Sequence, residues 1–162
     1  MADVTFKEKF RDFQELAREH DILRKHNLAI GSNAPQDKLL LFAEGGVVIM
    51  SLERFLRMLP GVGGTDSDTL RKLLKKAVEN QVLNLPGDNA DITIERVVSI
   101  RNTILHGNFE QAARQAGLQS KEEYFKKRYD LDIEELYKFT DNLVDQIDPD
   151  TGERKDATKS GS

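Results

Sequence analysis

Length, composition and charge limit what this chain can be. Its 162 residues suit one domain, and 38% of them are hydrophobic, which is enough for a core. It has no cysteine, which excludes disulfides and thiolate metal sites, and its formal net charge of -4 argues against a general DNA-coating protein without excluding local basic patches. The N-terminus lacks the apolar core of a signal peptide and no apolar run reaches membrane-spanning length, so we expect a cytoplasmic protein.

Apolar residues recur at helical spacing from the start of the chain. Residues 5–26 are predicted to form a first helix, which begins with a capping box made by Thr5 and Glu8. Residues 27–35 form a connector, and residues 36–59 are predicted to form a second helix. Because the second helix is apolar on most of its faces, we expect it to lie at the centre of the fold.

Three residues interrupt the apolar pattern of the second helix. Gly45 and Gly46 each cost about 1 kcal/mol against Ala in a helix, so they suggest the close approach of a neighbour. Glu44 precedes them and admits two interpretations. It is either a partner for Arg101, which lies in a later helix, or a carboxylate at a solvated edge.

A third helix is predicted over residues 69–84, after a glycine-rich loop, with Asp68 as its N-cap. Four basic side chains cluster on it. Such a cluster could contact the phosphate backbone of RNA, and a solvated helix face is the alternative explanation. The four residues are Arg71, Lys72, Lys75 and Lys76.

Two further helical stretches complete the predicted domain. The fourth helix spans roughly 91 to 106 and could continue to 115, and residues 121–146 form a last helix or a broken pair. No strand pattern is present, so the sequence predicts an all-α bundle of about five helices over residues 1–147. The polar residues 148–162 are expected to form a disordered tail.

The most informative stretch of the chain lies in the fourth helix. Arg101 intrudes into an apolar stripe, Asn102 and His106 are four residues apart on a shared face, and Gly107 can end the helix. The histidines have no metal-ligand spacing, and a nucleophilic serine or cysteine motif is missing, so we expect neither a metal site nor a cofactor. The remaining candidate is the string Arg-Asn-x-x-x-His-Gly.

This string, on a late helix of an all-helical protein, resembles the signature of the HEPN superfamily. That signature is an Arg followed a few residues later by a His, often with a polar residue after the Arg, and Arg101, Asn102 and His106 match it. The resemblance implies a HEPN-like bundle and a metal-independent endoribonuclease of a toxin–antitoxin, phage-defence or CRISPR type. It also implies RNA as the partner, a homodimer with one composite cleft, and an antitoxin or sensor protein as a further partner.

The resemblance also implies roles for the three residues. His106 would act as general acid or base for attack by the RNA 2'-hydroxyl, Arg101 would neutralise charge in the transition state, and Asn102 would orient the phosphate or the imidazole. A positioning role of Glu44 on Arg101 is our inference from the helix pattern alone.

Two observations keep other interpretations open. Asn108 stands where some HEPN toxins carry a tyrosine that a nucleotidyltransferase antitoxin modifies, which argues against that form of silencing. Some HEPN proteins do not cleave RNA, so a non-catalytic HEPN-like binding or dimerisation module is the alternative. An unrelated helical interaction domain is a third interpretation, in which Arg101 pairs with a core carboxylate and His106 caps carbonyls.

Overall fold

The computed structural model describes residues 4–30 and 35–155 of the chain, and within these ranges it contains helices and no strand. The all-helical class is therefore confirmed, while the HEPN-like arrangement stays a prediction. We number the helices in chain order as α1 Phe6–Ile30, α2 Pro35–Met58, α3 Leu70–Glu79, α4 Ala90–His106, α5 Phe109–Gln115, α6 Lys121–Tyr124 and α7 Asp130–Asp145, with a π-helical segment Phe125–Tyr129 joining α6 to α7. The described residues thus form more elements than the five predicted.

Local signals set most of the helix ends. The predicted capping box is confirmed, because Glu8 N donates to Thr5 Oγ1 (3.2 Å) and Thr5 N donates to Glu8 Oε2 (3.1 Å). The predicted N-cap of α3 is wrong by one residue. Thr69 Oγ1 accepts from the backbone of the helix, whereas the Asp68 carboxylate accepts from Thr65 N at 2.9 Å.

Helix α2 lies at the centre of the bundle, as its apolar sequence predicts, and packs against α1, α3, α4 and α7. Close approach explains one of its two glycines. A Cβ atom on Gly45 would lie 2.6 Å from Tyr129 Oη and 3.0 Å from a methyl of Ile104. A Cβ atom on Gly46 would meet no atom within 4 Å, so the same explanation does not apply to it.

The first part of the predicted tail forms a turn against the bundle. Asp148 N donates to the carbonyl of Glu153, and the carboxylate of Asp148 accepts from two following backbone N–H groups. Gly152 is buried, and a Cβ atom there would lie 2.9 Å from Pro60 and 3.0 Å from Phe6. The polar composition of this segment led to the prediction of a disordered tail, although local hydrogen bonds to short polar side chains hold the turn. Residues 156–162 lie outside the described residues.

None of the helices described is long and apolar enough to cross a membrane.

Candidate active-site helix and the groove beside it

Helix α4 carries the three residues of the predicted motif. Asn89 Oδ1 accepts from Ile92 N at its start, and Gly107 ends it with a φ of 68°, a conformation that glycine adopts readily. Since α5 begins two residues later, Gly107 turns the chain and lays α5 beside the end of α4. This is why the predicted continuation of the helix to residue 115 is broken.

Helical spacing separates the motif into two faces of α4. His106 is four residues after Asn102 and seven after Ser99, so these three residues share one face. Arg101 points toward α2 instead, where its Nε lies 3.4 Å from Oε1 of Glu53. Arg101 and Asn102 stay connected, because Arg101 Nη1 donates to Asn102 Oδ1 at 3.0 Å.

Arg101 is a partly accessible cation. Its side chain is 26% exposed, and Glu53 also lies 3.6 Å from Nη1 of Arg57. His106 is exposed in the last turn of α4 and forms neither a hydrogen bond nor an ion pair with the described part of the chain. The motif therefore presents a guanidinium that is paired with Glu53, an amide and an exposed imidazole.

Both interpretations of Glu44 are wrong. Glu44 is 0% exposed, so it is not at a solvated edge, and Arg101 pairs with Glu53. The arginine beside Glu44 is Arg24 of α1, whose Nη1 lies 3.4 Å from Glu44 Oε1. Arg24 was missed by the sequence analysis, although it lies on the stripe of α1 that also contains the buried Phe10 and Phe13.

Two carboxylates of α7 complete the surroundings of Arg24. Its Nη1 lies 2.7 Å from Asp130 Oδ1, and its Nη2 lies 3.0 Å from Glu134 Oε2. Burial alone would lower the pKa of Arg24, but these partners and Glu44 raise it above its usual range. Glu44 and Arg24 thus belong to a charge network joining α1, α2 and α7, which is away from the motif.

The predicted basic cluster is divided by ion pairs. Arg71 binds the carboxylate of Glu95 through two bonds of 2.9 and 3.0 Å, which raise the pKa of Arg71 and lower that of Glu95. Lys76 contacts Asp68 at 2.8 Å, and hydrogen bonds from Lys76 and Thr65 lower the pKa of Asp68 to about 2. The side chains that form no ion pair with described residues are those of Lys72 and Lys75.

A polar cleft lies between α4 and α5 on the face that carries Asn102. Its volume is about 260 Å³, and Arg71 and Glu95 lie at its edge. Of the predicted RNA-binding residues, Arg71 lines this cleft. The cleft could not be predicted from the sequence, because its walls are formed by polar residues without a distinctive pattern that the turn at Gly107 brings together. The other polar lining residues are Ser99, Thr103, Asn108, Gln111 and Gln115.

A larger cleft of about 520 Å³ lies between α1, α2 and α7, away from the motif. Within it His20 Nδ1 lies 2.9 Å from Ser51 Oγ, and burial lowers the pKa of His20. His20 is thus half-buried, and the side chain of His26 lies outside the described residues. The pKa of Asp141, another lining residue, is raised by burial and then by Asp145.

Neither a metal-binding group of residues nor similarity to a known protein identifies the function of this site. Among residues 4–30 and 35–155, no three histidine, cysteine, aspartate or glutamate side chains are grouped as a metal ion requires. The chain matches no family model, no curated protein and no solved structure. The assignment of a function therefore depends on the motif and on the geometry of α4.

Proposed function

We propose that this protein is a metal-independent endoribonuclease that works as a homodimer, as the resemblance to the HEPN superfamily implies. The observation that supports the proposal is the joint placement of Arg101, Asn102 and His106. The first two are linked by a hydrogen bond of 3.0 Å, and the third is exposed on the same face as Asn102, which lines a cleft together with Arg71. A cation, an amide and an imidazole are the groups that RNA transphosphorylation uses.

The proposed reaction needs two proton transfers. A base removes the proton of the 2'-hydroxyl, the 2'-oxygen bonds to the phosphorus, and the bond from phosphorus to the 5'-oxygen breaks. An acid gives a proton to that leaving oxygen, and a 2',3'-cyclic phosphate remains. Each chain contributes one motif histidine, His106. A second copy of the chain would supply the other histidine, which is the physical reason for the composite cleft.

Arg101 and Asn102 have complementary roles in this proposal. The guanidinium of Arg101 neutralises the charge that develops on the phosphoryl oxygens, and its planar fork suits that group. The Asn102 amide, whose oxygen already accepts from Arg101, holds the guanidinium and keeps its own NH₂ group for the phosphate or the imidazole. The proposal further includes a toxin–antitoxin or phage-defence role in the cytoplasm, with an antitoxin or sensor protein as partner.

One observation favours a second candidate function, a non-catalytic binding or dimerisation module. Arg101 already contacts Glu53, and Arg71 already contacts Glu95, so neither cation is free to meet a phosphate without competition. The Arg71–Glu95 pair is exposed and worth at most about 1 kcal/mol, so a phosphate could displace it, whereas the Arg101–Glu53 pair is partly buried and competes more strongly.

The decisive experiment is RNA cleavage by the purified protein in the presence of excess chelator. Wild type is compared with His106→Ala, Arg101→Ala and the control Arg114→Ala, an exposed position on α5. Loss of the general acid or base should lower the rate about a hundredfold or more, and Arg101→Ala should be similarly severe. The Arg114→Ala control should retain full activity.

The products and the folded state complete the test. The 3' end of the upstream fragment should carry a cyclic phosphate or its hydrolysis product. All variants must keep the circular dichroism spectrum and the oligomeric state of wild type. Equal cleavage by all four proteins would indicate contamination, and a folded wild type that binds RNA without cutting it would favour the binding module.

A further inference from the structure

The cleft beside Asn102 is one part of a longer groove that runs across α4. A second cleft, of about 140 Å³, continues from it toward the joint between α6 and α7. The two clefts have lining residues in common from both walls, which makes them parts of one depression. The common residues are Ser99 and Thr103 of α4 and Ala112 and Gln115 of α5.

Side-chain amides dominate one wall of this groove. Asn108, Gln111 and Gln115 are exposed, and their side chains form no hydrogen bond with any residue in the described ranges. Each amide offers both donors and an acceptor. Gln111 and Gln115 lie four residues apart on α5, so their amides project from the same side of that helix.

The groove has no surface on which a base could stack. Tyr124 is its one aromatic lining residue among those described, but it is 2% exposed and its hydroxyl donates to Asp132 Oδ2 at 2.6 Å. Bases that enter the groove must therefore be recognised by hydrogen bonds to their edges and not by stacking.

Arginines lie at the two ends of the groove. Arg71 is at one end, paired with Glu95, and Arg96 and Arg128 are at the other, where both approach Asp132. The arginine side chains are 42–45% exposed. The Arg71–Glu95 pair is exposed on both sides and contributes little to stability, so Arg71 can exchange its carboxylate for a phosphate, whereas Arg96 and Arg128 face the buried carboxylate of Asp132.

We propose that this groove is a base-reading subsite, which selects an unpaired adenine beside the phosphate to be cleaved; the inference rests on the proposed RNA cleavage. Gln111 and Gln115 bind the base edge, and Arg71 contacts a phosphate. An amide pairs in bidentate fashion with the N6 and N7 atoms of adenine, whereas the two acceptors of guanine call for a guanidinium or ammonium. Gln115 lines the part of the groove shared by both clefts and Gln111 lies one helical turn before it, whereas Arg71, Arg96 and Arg128 lie outside the shared part.

The test measures binding separately from cleavage. The full chain carrying His106→Ala is titrated into four labelled single-stranded RNA tetramers, one of each base, in chelator, and fluorescence anisotropy gives the four affinities. The oligoadenylate should bind about tenfold tighter than the oligouridylate, within the range of one good bidentate pair. Adding Gln111→Ala and Gln115→Ala should abolish this ratio. Adding Gln119→Ala, at an exposed position outside the groove, should preserve it.

A second variant separates base reading from charge. Arg71→Ala should weaken all four complexes by a similar factor and lower the salt dependence of binding, because a phosphate contact carries no base information. Arg114→Ala is the matched control. If Arg71→Ala changes the ratio of the affinities for oligoadenylate and oligouridylate, Arg71 takes part in base recognition and the proposed roles are wrong.

The outcomes distinguish this inference from the nuclease proposal. Three results would overturn the base-reading groove, whatever the cleavage assay shows. These are equal binding of all four tetramers, no binding of any tetramer, and an adenine preference that remains after both glutamines are replaced. Adenine-selective binding that depends on Gln111 and Gln115 would support the groove even if wild type fails to cut RNA. In that case the nuclease proposal alone would fall.

Discussion

Arg24 and Glu44 form a charge pair in the interior of the bundle, with Nη1 of the arginine 3.4 Å from Oε1 of the glutamate. Glu44 is 0% exposed and Arg24 is 6% exposed. Because Asp130 and Glu134 contact the same guanidinium, one cation holds helices α1, α2 and α7 together. A buried charge of this kind is tolerated when it is paired and is costly when its partner is removed.

Arg24→Ala should therefore be strongly destabilising. The substitution removes the cation that lies beside the buried Glu44 carboxylate, and we expect a loss of about 3 kcal/mol, or a fall in Tm of roughly 6–12 °C for a domain of this size. Thermal unfolding followed by circular dichroism measures it. Lys25→Ala is the control, because its pair with Asp21 is exposed and should contribute less than about 0.5 kcal/mol. Equal melting curves for the two variants would refute the buried network.

Gly45 and Gly46 should respond oppositely to replacement by alanine. In Gly45→Ala the new methyl group would lie 2.6 Å from the hydroxyl of the fully buried Tyr129, and the resulting overpacking should outweigh the gain in helix propensity, for a net loss of about 1–2 kcal/mol. Gly46→Ala meets no atom within 4 Å and should gain up to about 1 kcal/mol. Denaturant titration of both variants gives the two signs, and a stabilised Gly45→Ala would show that α2 and the π-helical segment can separate without cost.

The sequence was sufficient to predict the features that depend on neighbouring residues. The periodicity of apolar residues predicted the central position of α2, and the spacing of Thr5 and Glu8 predicted their capping box. Asn102 and His106 share a face, as their spacing requires. These features follow from the geometry of a helix, which is the same wherever the helix lies in a fold.

Features that depend on tertiary packing could not be predicted in this way. A helical pattern shows that Glu44 lies among apolar residues, but it does not show which arginine approaches it. Arg24 also meets Asp130, more than a hundred positions further along the chain. The groove was missed for the same reason, because Gln111 and Gln115 look like solvated helix residues until the turn at Gly107 places them opposite α4.

His20 should make the stability of the protein depend on pH. Burial lowers its pKa in the folded state below the ordinary value of 6.5, so the unfolded chain binds the proton more readily. This contribution to stability is complete above pH 6.5 and is lost as the pH falls through the folded-state pKa. Between about pH 7.5 and pH 5, Tm should fall less for His20→Gln than for wild type. His106→Gln, at an exposed position, is the matched control, and an unchanged pH slope in His20→Gln would contradict the prediction.

The proposed composite site requires that two copies of the chain meet near Arg101. Two exposed apolar side chains flank the pair of Arg101 and Glu53 in sequence, Leu105 of α4 at 46% exposure and Met50 of α2, three residues before Glu53, at 69%. Leu105 is four residues after Arg101 and therefore adjoins it on the helix surface. An exposed apolar side chain beside the motif fits the proposed two-fold interface, in which the same surface meets its copy.

Leu105→Glu should accordingly dissociate the dimer and reduce RNA cleavage together, because it places two like charges close to the two-fold axis. Light scattering at on the order of tens of micromolar, a range that detects moderate affinities, should find a dimer for wild type and a monomer for the variant. Ile92→Glu is the control, since Ile92 is 70% exposed in the first turn of the same helix, far from the motif. A wild type that is strictly monomeric, or a monomeric Leu105→Glu that cleaves at the wild-type rate, would exclude a composite site and require His106 to act within one chain.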